Sequence, residues 1–237
     1  MWRYIKSGLE IACTLLICAA AIAIVWQVTH PISTPRRASA LPKVERVTGL
    51  TIASADISNV RGTGRVALVE FADYECPYCA KHMKETGPTI NEKMIDSGQI
   101  RHVFFNFPLA IHPHAPKASE AAECAGKQGR FWEMSESLFA DPQKLDVADL
   151  VVRSETIGIN PALFKKCLDS GETADKIRRD VDEGRRVGVN ATPTFFIGSV
   201  NDDGSIELVT RLNGALPFEE FEKAVRTLLP GPRQARR

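Results

Sequence analysis

The sequence has no excess of either charge. Its 30 Lys and Arg stand against 29 Asp and Glu, for a formal net charge of +1. Charge alone therefore points neither to nucleic acid nor to a strongly acidic partner. Repeats at solenoid or propeller periods are also missing. The motif C-x-x-C occurs once, at Cys76 and Cys79, so the second knuckle that a zinc ribbon needs is lacking. What is there is an ordinary hydrophobic share of 44% over 237 residues. That suits one domain carrying an appendage or an insertion.

The appendage is at the front. Residues 11–28 read IACTLLICAAAIAIVWQV, without a charge. As a helix this run spans roughly 27 Å, close to the apolar thickness of a bilayer. Trp2, Tyr4 and Trp26 flank it as interfacial aromatics do, and Arg3 and Lys6 precede it. We expect an N-terminal membrane anchor or signal segment at 1–28. An uncleaved anchor is favoured, because the small-residue triplet Ala38-Ser39-Ala40 lies far from the apolar run for a cleavage site. Arg36, Arg37 and Lys43 compete with Arg3 and Lys6 over orientation. Cys13 and Cys18 fall inside the run and read as apolar positions. A Pro-, Ser- and Arg-containing linker is expected at 29–47, a domain at 48–230 and a loose basic tail at 231–237.

Within the domain, residues 66–71 (VALVEF) form a short apolar run, as in a strand buried on both faces. Cys76 follows at a strand-to-helix turn, with Pro77 suited to the first helical position. Gly87-Pro88 should break that helix, a second piece should run over 89–97, and a strand over 100–109. Strand, C-x-x-C helix, strand is the context in which this motif does redox chemistry. A thiol at a helix start faces free N–H groups and the positive end of the dipole, so its thiolate is favoured. Cys76 is the candidate nucleophile and Cys79, one turn inward, its resolving partner; Pro77 and Tyr78 tune the thiolate. Metal binding by Cys76, Cys79 and His82, or a purely structural bridge, are the competing readings. Asp73 and Glu75 flank the site as a possible proton relay, with a surface acid near a helix start as the alternative. His112 and His114 could line a groove or bind a metal.

Downstream, NATPTFFIGS places Pro193 at the mouth of an apolar strand. It either opens the strand or forms a cis-proline turn that brings the Thr192 backbone beside the cysteines, where it could pair with an extended substrate. A strand over 206–212 and a closing helix follow, the helix carrying Phe218, Phe221, Ala224, Val225 and Leu228 on one stripe. The interval between Cys79 and Pro193 reads as a helical insertion at about 115–187. Ala118, Ala121, Ala122 and Ala125 form a small-residue face. Asp146 is expected to cap one helix, and Asn160 with Pro161 to open another.

Three stretches, FADYECPYCAKH, AAECAGKQGRFWEMSESLF and GVNATPTFFIG, together resemble the DsbA-like thiol–disulfide oxidoreductases of the bacterial envelope. The likeness is to their anchored branch with a helical insertion. It implies an α/β, thioredoxin-like fold with an inserted helical subdomain, preceded by one N-terminal transmembrane helix. It implies Cys76 as nucleophile, Cys79 as its partner, and Pro193 as a cis-proline with Thr192 before it. It places the catalytic domain outside the cytoplasm, acting on exported proteins that contain cysteines and reoxidised by a membrane redox partner. No prosthetic group, metal or nucleic acid is implied. Tyr78 departs from the histidine that well-known members carry there, which leaves oxidising strength open. In such a compartment Cys124 and Cys167, otherwise two buried free thiols, are expected to pair, since that connectivity leaves the redox pair independent. The same fold run as a reductase or isomerase, or as a chaperone-like binding module, are the other functions to weigh.

Overall fold

The computed structural model describes residues 43–229. The expected anchor at 1–28 with Cys13 and Cys18, most of the linker, and the tail at 231–237 lie outside them. Among the described residues no helix is long and apolar enough to cross a membrane.

Six strands, β1 (Val44–Ile52), β2 (Asn59–Gly62), β3 (Val66–Ala72), β4 (Ile100–Asn106), β5 (Thr194–Val200) and β6 (Ile206–Asn213), form one sheet in the spatial order β1-β6-β5-β3-β4-β2. β3 and β4 are parallel; β3–β5, β5–β6, β6–β1 and β4–β2 are antiparallel. The parallel pair needs a crossover. It is supplied by α1 (Pro77–Glu85), α2 (Gly87–Ile90) and a wide helical turn at Asn91–Ile95. The break between α1 and α2 falls at Thr86 because Pro88 has no N–H to continue the ladder.

β3 is buried at every position, so its two faces feed two cores. Leu68 joins Ile100, Phe195, Ile197 and Phe221, the last from α8 (Phe218–Arg226). Val69 and Phe71 join Val103, Phe105 and Phe196 on the other face. Five helices lie between β4 and β5: α3 (Ala115–Gly126), α4 (Phe131–Ala140), α5 (Val147–Thr156), α6 (Pro161–Ser170) and α7 (Ala174–Arg186). Their own core contains the alanine face of α3 with Met134, Leu138, Leu150 and Phe164. A disulfide between Cys124 of α3 and Cys167 of α6 crosses it, with Cα atoms 5.8 Å apart. α7 returns to the sheet through Gly184, where an added Cβ would lie 2.5 Å from the Phe107 ring.

Several boundaries differ from expectation. The segment read as linker to residue 47, with the domain starting at 48, is already strand from Val44, because Val44, Glu45 and Arg46 pair with Leu212, Arg211 and Thr210. β2 was not anticipated. Both are edge strands whose exposed positions dilute the apolar signal. β4 ends at Asn106, short of residue 109; Pro108 has no N–H for the sheet. Asn160 caps α6 as expected, accepting from the N–H groups of Ala162 and Leu163 at 3.0 Å. Asp146 makes no side-chain cap bond on α5. Its carboxylate lies 3.1 Å from His114 Nδ1 instead.

Candidate active site

Cys76 is the N-cap residue of α1, extended in backbone, with Pro77 at the first helical position. A tight turn sets it there: the Cys76 N–H donates to the Asp73 carbonyl at 3.1 Å. Cys79 lies one turn inward. Both thiols are unbonded, and Cys76 is 4% exposed and Cys79 0%.

The two sulfurs are driven in opposite directions. The Cys79 thiol, a hydrogen-bond donor to Cys76, is the largest influence lowering the Cys76 pKa. Burial opposes it, and Thr192 and the backbone N–H groups of Cys79 and Tyr78 add to it. The result is a fall from 9.0 to about 6. A thiolate at a helix start with this many donors is the expected nucleophile and leaving group. Cys79 is pushed well above its ordinary value, first by burial and then by the neighbouring Cys76, with the Glu70 charge also disfavouring its anion.

The Thr192–Pro193 peptide is cis. It brings the Thr192 carbonyl to 3.4 Å from Cys76 Sγ, where it accepts from the protonated thiol. Thr192 Oγ1 is buried with no other partner, so it is free to donate to the ionised sulfur. Pro193 has no N–H, and its carbonyl accepts from Gly214 N at 2.8 Å. Tyr78 is 64% exposed. Beside Pro77 a cleft of about 790 Å³ runs along α1, with Ala80, Met83, Phe139 and Pro142 in its walls.

The flanking acids have other duties. The buried Asp73 carboxylate accepts from the N–H groups of Glu75 (2.8 Å) and Leu109 (2.7 Å) and bonds His112 Nδ1 at 2.7 Å. Glu75 accepts from the N–H groups of His114 and Ala115, at the start of α3. These bonds pin the loop after β4, and none of them leads to a cysteine sulfur. His82 is not beside the cysteines as a ligand: its buried ring packs against Phe195 and Phe221, with centroids 4.4 and 5.3 Å away. Among the described residues no group of three or more His, Cys, Asp or Glu is placed to hold a metal ion.

Beneath α1 lies a buried carboxylate–imidazole pair that sequence reading missed. Glu70 is 0% exposed, and its Oε2 is 2.8 Å from His102 Nε2. Arg61 Nε donates to His102 Nδ1 at 3.3 Å, which fixes the ring proton on Nε2, pointing at Glu70. Burial lowers the His102 pKa, consistent with that neutral ring. Burial alone would raise the Glu70 pKa, but His102, His82 and Arg61 overcome it and lower it. A carboxylate inside an apolar run was the available signal. Its partner, 32 residues away on the adjacent strand, was not readable.

The family model described as Thioredoxin matches residues 63–217. Among solved structures, BdbD from Bacillus subtilis (oxidised) is 23% identical, with a TM-score of 0.63 covering 77% of this chain and 97% of that one. Alpha-DsbA1 of Wolbachia pipientis is 23% identical, with a TM-score of 0.61 covering 71% and 89%. At this identity the likeness establishes a shared fold. Na(+)/H(+) antiporter NhaA 3 of Salinispora tropica is 38% identical over 152 residues, which is 63% of this chain and 23% of the antiporter. The chain spans about a quarter of the length of the curated relatives it matches. The Thioredoxin match takes in both the Cys76 turn and the cis-proline strand, and the chain belongs to the thioredoxin family.

Proposed function

We propose that the chain is a thiol–disulfide oxidoreductase that introduces disulfides into exported proteins. The observation that carries this reading is the unbonded Cys76 thiol at the start of α1, 3.4 Å from the carbonyl of Thr192 before a cis-proline. In the forward reaction a client thiolate attacks Sγ of Cys76 in the Cys76–Cys79 disulfide. The S–S bond breaks, Cys79 takes the electron pair and a proton, and a mixed disulfide forms on Cys76. A second client thiolate attacks the client sulfur and releases Cys76 as a thiolate. Two electrons pass to the protein and the client gains its bridge. The depressed Cys76 pKa supports this direction, since it favours Cys76 as leaving group and the reduced form as product. The Thr192 backbone and the cleft beside Pro77 offer an extended client segment a place to lie.

The same reading sets the domain outside the cytoplasm, held to the membrane by residues 1–28. On this reading a membrane redox partner reoxidises the dithiol, since each turnover leaves Cys76 and Cys79 reduced. The test is oxidation of a reduced, unfolded client by the oxidised full-length protein. Wild type should transfer its disulfide and Cys76→Ser should not; Cys79→Ser, supplied as its Cys76–glutathione mixed disulfide, should exchange glutathione for the client thiol and accumulate a Cys76–client mixed disulfide that it cannot resolve. Undiminished client oxidation by Cys76→Ser would overturn the proposal.

A further inference from the structure

His112 comes from the loop after β4, outside the C-x-x-C segment, yet one residue ties it to the nucleophile. Asp73 grips both: its carbonyl accepts from the Cys76 N–H at 3.1 Å, and its Oδ2 holds His112 Nδ1 at 2.7 Å. The loop has little freedom to move the ring. Leu109 N donates to the same Asp73 Oδ2 at 2.7 Å, and His112 N donates to the Leu109 carbonyl at 2.9 Å. The ring is mostly buried, with 16% of its side-chain surface exposed, so its charge is only partly screened. Tyr78, inside the motif, lies on the surface, 64% exposed.

We propose that His112, in its imidazolium form and oriented by Asp73, is the electrostatic partner of the Cys76 thiolate and sets how readily that thiolate forms. This rests on the reading of Cys76 as the exchanging thiol. Without a cation, the buried Asp73 carboxylate leaves a negative charge at the turn that holds Cys76. With His112 protonated, Asp73 is compensated and the developing charge on Sγ meets a positive ring. In the second step of exchange, when the client sulfur leaves Cys76 and the electron pair falls on Sγ, that ring stabilises the departing anion.

The groups facing His112 agree in sign. Burial disfavours the charged ring, but the hydrogen bond and charge of Asp73, the Cys76 thiolate and Glu75 outweigh it, and the pKa is raised from 6.5. Coupling of this kind is reciprocal: whatever the imidazolium does for the thiolate, the thiolate does for the imidazolium. When Cys76 is in a disulfide it carries no charge, so His112 must then lose its proton more easily. A residue that merely pinned the loop would not respond to the redox state of Cys76.

The experiment is a histidine-ring NMR titration of the full-length protein in the disulfide and dithiol forms. It is paired with a thiolate titration by absorbance at 240 nm of reduced wild type, His112→Gln and His112→Lys. No client is needed, so failure of the coupling is distinguishable from failure to oxidise clients. His112 should titrate at higher pH in the dithiol form. His112→Gln should form on the order of tenfold less Cys76 thiolate near pH 6, as expected when a nearby opposite charge is lost. His112→Lys should restore it. The proposal is overturned if His112 titrates at the same pH in both redox forms; the wild-type measurement decides this even where a variant fails to fold.

Discussion

Taking the pH from 7 to 5 should remove from the dithiol protein a stabilisation that the disulfide form never has. The Cys76 pKa is about 6 in the folded dithiol form against 9.0 for an ordinary thiol. A depressed acid contributes stability that is complete above the unfolded value and is lost as the pH falls through the folded value. The full difference of about three units corresponds to about 4 kcal/mol above pH 9. At pH 7 about 1.4 kcal/mol of it is present, and at pH 5 almost none. In the disulfide form Cys76 does not titrate. The stability of the dithiol form relative to the disulfide form should therefore fall by about 1.4 kcal/mol between pH 7 and pH 5. In a two-electron couple that is a contribution of about 30 mV to oxidising power at pH 7. Urea unfolding of both redox forms at the two pH values reads it directly. A relative change below about 0.3 kcal/mol, with two-state transitions in all four curves, would refute the reasoning.

Three further outcomes follow from the packing. Replacing Cys124 and Cys167 together by alanine opens a bridge with a sequence separation of 43; chain entropy puts the loss of stability at about 4 kcal/mol by denaturant unfolding, with the Cys76 titration unchanged. Gly184→Ala forces a Cβ to within 2.5 Å of the Phe107 ring and 3.1 Å of Phe71; overpacking of this kind should destabilise by about 1–3 kcal/mol in the same assay. Asp180 is pushed up from 3.8 to about 6, chiefly by burial, against the pull of Lys176. Its contribution to stability is complete below pH 4 and lost as the pH rises through 6, so Asp180→Asn should flatten the stability curve there by up to about 3 kcal/mol.

The parts of the site legible in the sequence are those whose cause is local. Cys76 caps a helix because Pro77 follows it, and the wide apolar run before it makes β3 central. The cis-proline was legible as one of two readings of Pro193 because a strand begins immediately after it. The Cys124–Cys167 bridge was legible as a pairing only once the compartment was inferred. What was not legible depends on contacts between segments far apart in the chain. The nearness of Asp73 to Cys76 in sequence suggested a relay or a surface acid and could not show that the loop at Leu109 and His112 claims its oxygens. Glu70 lies inside an apolar run and drew no reading of its own. Only the parallel register, with Leu68 opposite His102 and Glu70 opposite Phe104, puts an imidazole beside it. β1 and β2 escaped notice because edge strands keep polar residues on their open side.

The central claim is that the start of α1, with Cys79 and Thr192, holds Cys76 as a thiolate. The measurement closest to it is the rate of Cys76 alkylation by iodoacetamide against pH in the reduced full-length protein, with the modified cysteine identified by mass. The account predicts half-maximal rate near pH 6, with Cys79 unmodified across the neutral range. A midpoint at 8.5 or above, the value of an unassisted thiol, would contradict it.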